Sequence, residues 1–418
     1  MTINSSDRLT GGQRGTMLSA ATEVGRRRFL QLGGLGLLAS FMAACGDLFG
    51  REPEGPLGEG TVEGSVIVVG AGPAGMTAAH LLRQRGADVR VLEARSTPGG
   101  RIAHTRDFVD FPISLGGEWL HVDRAVLDDI VADESVRIDT VTVGYREDGD
   151  FAMVDDDGEL VALSLADTGF DIDQKFVGSS WLDFFETYVL PGIAPLITFD
   201  TPVERIEYGE GGVRLTDTSG DVHEADRVVV TVPVAILQQG LVEFEPPLPD
   251  DRLDTLAEAR VWSGFKAFIE FDRRFYPTLL APADSGVGGG QRLFYDAAHG
   301  QDSAAHVLGV FSVGEEAERY QAAGEGAIDL ILAELDEIYD GTATEAYVQH
   351  LTQDWNAQPW ARGAYLTDDE DFRTTRRLAA PIDDVVFFAG DGYTAFDDWS
   401  SVHAAAWSAR DAVRAMLG

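Results

Sequence analysis

From residue 65 the chain reads SVIVVG, a short apolar run rich in β-branched residues and closed by glycine. That is the pattern of a buried strand. After GAGPAG comes MTAAHLLRQRG, whose apolar positions recur at helical spacing. ADVRVLEAR follows and reads as a second strand, with Glu93 near its end. Much later, SGFKAFIEF (263–271) alternates. Phe265, Ala267, Ile269 and Phe271 fall on one face, and Gly264, Lys266, Phe268 and Glu270 on the other. GEGAIDLILAELDEIYD (324–340) predicts a helix, WLDFFETYVL (181–190) is an apolar run, and GVGGG (286–290) predicts a loop. No internal repeat is visible.

Strand, glycine-rich turn, helix, strand and acid form one connected pattern. Gly70, Gly72 and Gly75, with Ala74 among them, fit a G-x-G-x-x-G turn. Glycines there permit a tight bend and close backbone approach to a pyrophosphate. The helix start supplies N–H groups and the positive end of its dipole. Glu93 lies 23 residues after Gly70, placed to accept hydrogen bonds from a ribose diol. A carboxylate there argues against a 2′-phosphate.

Arg95-Ser-Thr-Pro-Gly99-Gly100-Arg101 follows Glu93 and Ala94. It resembles the second glycine-arginine motif of flavin amine oxidases and related FAD families. The resemblance implies that this backbone and Arg101 contact the pyrophosphate and flavin side. FFAGDGYTAFDDWSSVHAAAWSARDA resembles the closing motif of the same family. By that resemblance Asp391, after Gly390, binds the ribityl chain, and a helix start carrying Ser401 and Val402 faces the isoalloxazine. Asp391 stands where that family usually has glutamate. Gly116-Gly117-Glu118-Trp119-Leu120-His121 looks like the segment passing along the flavin. Thr201–Ile206 looks like the strand whose valine, here Val203, meets adenine. Asp226–Pro233 looks like the strand and turn closing the nucleotide domain.

The similarity to flavin amine oxidases runs from about residue 65 to 418. It implies an α/β protein with a Rossmann-type FAD-binding domain built from discontinuous segments (65–120, 200–246 and 376–418). Segments 121–199 and 247–375 would form an α+β substrate domain with a mixed sheet. TQDWNAQPWARGAYL (352–366) resembles the family's Trp…Gly-x-Tyr segment. Trp355 would then pack beside the flavin and Tyr365 would line the site. Trp399, or alternatively Phe396, would face Tyr365 across an aromatic cage able to hold an amine.

Lysine is scarce. The chain has two, Lys175 and Lys266, against 30 arginines. Lys266 has an ordinary reading, a side chain snorkelling from a sheet edge beside Glu270. The resemblance gives it another, because a lysine in a similar Gly-x-Lys setting binds a water at flavin N5. A compact ammonium suits that role and stabilises developing negative charge. Lys175 has no motif around it.

Composition narrows the partners. Residues 1–44 hold two acids and five arginines; the remainder has 68 acids against 27 bases, a formal charge of −41. Such a chain repels nucleic acid and anionic lipid and attracts cations. The acidic balance fits a halophilic-like surface, or solubility alone. The histidines lack metal-ligand spacing, so no metal is expected. The single cysteine, Cys45, excludes an intramolecular disulfide and leaves FAD non-covalently bound.

Before residue 46 the chain carries an address. RRRFL (26–30) and the apolar run after it resemble a twin-arginine export signal, and Met42-Ala-Ala-Cys45 resembles a lipobox. Residues 1–45 then form a twin-arginine, lipoprotein signal and 46–64 a flexible tether, with Cys45 the point of membrane anchorage outside the cell membrane or in the periplasm.

The expected protein is an exported FAD-dependent amine oxidase. It transfers hydride to flavin N5 and is reoxidised by dioxygen to give hydrogen peroxide. Lys266, Tyr365, Trp399 and His121 form the catalytic set. His121 matches a histidine of some polyamine oxidases. An L-amino-acid oxidase would need an arginine for the substrate carboxylate, with Arg124 and Arg362 as candidates. Two alternatives use the same scaffold. One is a dehydrogenase or desaturase serving a membrane acceptor; the other is a non-catalytic FAD-binding lipoprotein.

Overall fold

Val66, Val68, Val91, Val229 and Phe387 belong to one hydrophobic core, and Ile67, Val69, Leu92, Val228 and Val230 to another. Alternation in continuous apolar strands therefore feeds two faces of one sheet, as all-parallel sheets covered on both sides require. In the computed structural model this sheet has five parallel strands. Their order is Ile197–Thr198, Asp88–Leu92, Ser65–Val69, Arg227–Val230 and Val386–Phe388. The structure describes residues 57–155, 157–282, 289–367, 372–395 and 400–417. The signal, Cys45, most of the tether, Phe396 and Trp399 lie outside them.

One face of the sheet is covered by helices Pro73–Gln84 and Val402–Met416. The two helices pack together, and Ala78, Ala405 and Ala409 are buried in the core they share. Pro73 stands at the first helical position, where its missing N–H costs nothing. The other face meets a four-stranded sheet, ordered Val222–Ala225, Gly212–Asp217, Val203–Gly209 and Glu243–Glu245.

A seven-stranded mixed sheet contributes Lys266, Gln291 and Phe311 to the wall of a cavity that also borders the parallel sheet. Its order is Tyr347–Asp354, Gly264–Phe271, His306–Gly314, Gly290–Asp296, Leu279–Ala281, Phe151–Val154 and Leu160–Ala162. Every pairing is antiparallel except Leu279–Ala281 with Phe151–Val154. The α/β class with a mixed second sheet is the one read from the sequence.

The alternation in Gly264–Phe271 is as expected. Phe265, Ala267, Ile269 and Phe271 pack with helix Ala327–Ile338, and Phe268 packs on the opposite face with Tyr295. The snorkelling alternative fails, because this strand is flanked on both sides and Lys266 is 3 % exposed. Glu270 instead accepts a hydrogen bond from Gln349 Nε2 at 2.6 Å. Gly290, read as loop, is the first residue of a strand, since the run GQRLFYD pairs with His306–Gly314.

A three-stranded sheet completes the frame. Trp119–Leu120 and Thr142–Gly144 flank Gln174–Phe176, with Lys175 directly opposite Trp119.

Candidate active site

The first strand turns into its helix through glycines with distinct tasks. Gly70 has φ +106°, a backbone region that disfavours side chains. A Cβ on Gly75 would lie 1.9 Å from the Gly70 carbonyl oxygen, so glycine alone lets the helix start under the turn. A Cβ on Gly72 would meet nothing within 4 Å, because this backbone borders open space. That space is a cavity of about 530 Å³, running from the turn to the seven-stranded sheet.

Gly70, Gly72, Ala74, Glu93, Ala94, Arg95 and Val203 line its nucleotide end. Glu93 is buried there. Its Oε2 accepts the Ala71 N–H at 2.5 Å and its Oε1 the Arg95 N–H at 2.8 Å. Burial raises its pKa, and the two N–H bonds oppose that rise. Gly75 and Gly99 stand outside the cavity lining and shape the turn from behind. Gly75 lies beneath the turn, and Gly99 backs it by donating its N–H to the Ala71 carbonyl at 2.9 Å.

Gly100, Arg101, Gly117, Gly390, Asp391, Ser401 and Val402 line the middle. Arg101 and Asp391, read as separate contacts, form a two-pronged ion pair at 3.0 and 2.5 Å. Arg101 also donates to the Ala364 carbonyl. Ser401 caps the last helix by accepting the Ala404 N–H at 3.1 Å. A Cβ on Gly117 would lie 2.7 Å from Val402 Cγ2, so glycine lets this segment pass close to the helix start. Trp355 donates its indole N–H to the Leu115 carbonyl at 2.9 Å, and its ring edge occupies space that a Gly116 Cβ would claim.

Glu118, Trp119, His121, Lys266, Trp355 and Tyr365 line the sheet end, joined by Phe311, Gln291 and Trp360. Trp119 reaches the wall, yet its ring is chiefly packed, 4.8 Å from Tyr295 and 5.8 Å from Phe170. His121 is held through Nδ1 by Asp173 at 2.6 Å. Arg124 donates instead to the Ile138 and Thr140 carbonyls, and Arg362 is exposed and turned toward Pro359. Neither lines the cavity. Among the described residues its arginines are Arg95 and Arg101.

Lys266 is the centre of the sheet end. Its ammonium donates to the carbonyls of Ser114 (3.1 Å) and Gly116 (3.2 Å) and to Glu118 Oε2 (2.8 Å). All three donors therefore have protein acceptors, an arrangement unforeseen in reading Lys266 as a water holder. Desolvation lowers its pKa; Glu118 opposes that, and Lys175 adds to it. Glu118 would be raised by burial, but the two lysines and the Tyr295 hydroxyl hold it down to about 2.

Lys175 corrects the sequence reading most. It lacks a motif, yet its Nζ sits 3.0 Å from Glu118 Oε1. The chain's two lysines converge on one carboxylate. Tyr295 and Ser114 join them without a motif of their own, Tyr295 through the register of its sheet and Ser114 through its carbonyl just before the Gly116 segment. The lysine count was a usable signal for Lys175; the sequence held none for Tyr295. A separate group, His104, Asp183 and Glu186, clusters away from the cavity. His104 is hydrogen-bonded to Ser180 at 2.6 Å and Asp183 accepts from Arg106 at 2.6 Å.

A glycine-lined nucleotide cradle opening onto a lysine-bearing sheet defines a flavin-type oxidoreductase. The family described as flavin containing amine oxidoreductase matches residues 196–417, and the chain belongs to that family. Residues 68–132 match the NAD(P)-binding Rossmann-like domain. The cofactor of such a protein is FAD. The cavity suits it, with open backbone at Gly72, an acid at Glu93 and a capped helix start at Ser401.

Lysine-specific histone demethylase 1B of Mus musculus is 25% identical, over 78% of this chain and 50% of that protein. Polyamine oxidase 4 of Oryza sativa subsp. japonica is 24% identical, over 82% of this chain and 86% of that protein. The chain thus spans about half the length of the demethylases it matches. The solved structure of wild-type putrescine oxidase bound to putrescine shares the fold. It has a TM-score of 0.67 at 18% identity, covering 84% of this chain and 99% of that one.

Proposed function

We propose that this protein is an oxidase of small amines, polyamines included. The observation that carries the reading is the buried Lys266 ammonium on the wall of a cavity continuous with the nucleotide cradle. Bound FAD supplies the two-electron acceptor for the substrate's α-C–H and, with dioxygen, the route to hydrogen peroxide.

The chain's own groups do the rest. Gly72, Glu93 and the Ser401 helix start would hold the cofactor, with Arg101 and Asp391 beside it. Phe311, Trp360 and Tyr365 give the substrate aromatic walls that exclude water. Glu118 is engaged with two lysines, so it offers little attraction to an ammonium substrate. That favours the neutral amine, whose lone pair is free. The absence of an arginine at the sheet end, among the described residues, supports amines over amino acids.

An anaerobic panel followed by flavin absorbance tests this. Amines or polyamines should bleach the oxidised flavin, L-amino acids should not, and air should restore the colour rapidly. Slow recolouring would indicate a dehydrogenase serving another acceptor. No bleaching by any amine would leave a ligand-binding flavoprotein.

We further propose that the chain is exported and lipid-anchored, on the strength of Arg26-Arg27 and Cys45. Replacing both arginines by lysine should hold the protein in the cytoplasm, and Cys45→Ser should move it from the membrane to the soluble fraction. Unchanged fractionation of both variants would contradict the address.

A further inference from the structure

The two lysines share one acceptor. Glu118 gives Oε1 to Lys175 (3.0 Å) and Oε2 to Lys266 (2.8 Å), while the Tyr295 hydroxyl donates to Oε2 at 2.6 Å. Lys175 completes its shell with the carbonyls of Ala297 (2.9 Å) and Asp296 (3.3 Å). All four residues are buried. Lys266 and Glu118 reach the cavity; Lys175 stands behind Glu118, outside its lining.

Two ammonium groups on one carboxylate leave a net charge of +1 in the interior. Stability alone argues against that arrangement, because Glu118 with either lysine is already a neutral pair and an extra buried charge is costly. A chain with 30 arginines places both of its lysines here. An ammonium is compact and takes three separate acceptors, which a planar guanidinium does not fit.

We infer that Lys175 is a positioning residue for Lys266. Acting through Glu118, it holds the carboxylate by its far oxygen and keeps the Lys266 side of the cluster from being neutralised. The role proposed for Lys266 rests on the amine-oxidase reading; the coupling between the lysines does not.

Other ionisable groups packed around the cluster are accounted for. Asp296 pairs with Arg274 (3.0 Å) and Asp173 with His121 (2.6 Å). The Tyr145 hydroxyl receives the Trp119 N–H, and His299 stacks on Tyr145. Burial pushes Tyr145 and Tyr295 well above the usual phenol range, so both stay neutral through the pH range of interest. Burial also lowers His299, aided by Lys175.

With two lysines in the chain, ¹³Cε-lysine labelling gives two side-chain signals. These are read in the full-length, FAD-loaded protein and assigned with Lys175→Met. In the parent, the Lys266 signal should report a midpoint below that of an ordinary lysine side chain. In Lys175→Met, which leaves a neutral Lys266–Glu118 pair, the Lys266 midpoint should move to higher pH. The kcat–pH profile should move with it, and kcat should fall roughly ten- to a hundredfold with KM little changed, the range for a group that orients another.

A Lys266 midpoint at or above that of an ordinary lysine in the parent overturns the inference even if no variant folds. So does a Lys266 midpoint unchanged in a folded Lys175→Met protein. The lysine signals do not depend on turnover. A failed amine panel with coupled lysines would therefore sink the activity and leave the coupling, and the reverse result would do the opposite.

Discussion

Lys266→Met is expected to lower the rate of flavin reduction by an amine roughly 10²- to 10³-fold, the scale for removing one charged or donor group from a reacting centre. FAD should remain bound, because the nucleotide end of the cavity contains none of the lysine's partners. Folding should survive as well. Methionine keeps much of the side chain's volume, and Glu118 retains Lys175 as a counter-ion at 3.0 Å. The cluster passes from a net positive charge to a neutral pair. Stopped-flow absorbance under anaerobic conditions, with FAD content and melting temperature in parallel, separates chemistry from assembly. Full activity in a folded, yellow Lys266→Met protein would falsify the catalytic role of this lysine.

Glu118→Gln is expected to act on stability more than either lysine substitution. It strands two ammonium groups near each other without their shared carboxylate. Breaking a buried ion pair in this way costs about 3–5 kcal/mol. The loss should depend on pH in a defined direction. The carboxyl of Glu118 sits at about 2 in the folded protein, against roughly 4.3 in an unfolded chain. Its contribution is therefore complete above the unfolded value and disappears as pH falls through the folded one. The gap between the melting temperatures of parent and variant should be widest near neutrality and narrow from about pH 5 downward. A constant gap across that range would mean that the Glu118 charge is not the source of the stability. If Glu118→Gln melts with the parent at pH 7, the buried cluster has another counter-charge.

These two variants also show where sequence reading stopped. Lys266 could be singled out because its strand alternates and because glycine-rich flavin motifs flank it on both sides. Those motifs are local, with Gly70 to Glu93 and Gly99 to Arg101 each lying within a short span. A turn geometry or helix start depends on neighbouring residues, so such signals survive in a one-dimensional reading. The Arg101–Asp391 pair joins residues 290 positions apart, and the Lys266–Glu118 pair residues 148 apart. Neither partner constrains the sequence near the other. Lys175 has no motif around it, and its position opposite Trp119 follows from pairing between two very short strands.

The sequence by itself determined the strand, glycine turn and helix of the nucleotide cradle and the face of the strand on which Lys266 lies. These follow from hydrophobic period and from where glycine is required, both written in consecutive residues. Only the tertiary structure decided what that lysine meets. A buried ammonium takes its acceptors from whatever the fold delivers, here Ser114, Gly116 and Glu118 from one short stretch far from Lys266 in the chain, with Lys175 beyond it through the shared carboxylate. The net charge at the cavity wall is a sum over groups that sequence distance does not relate.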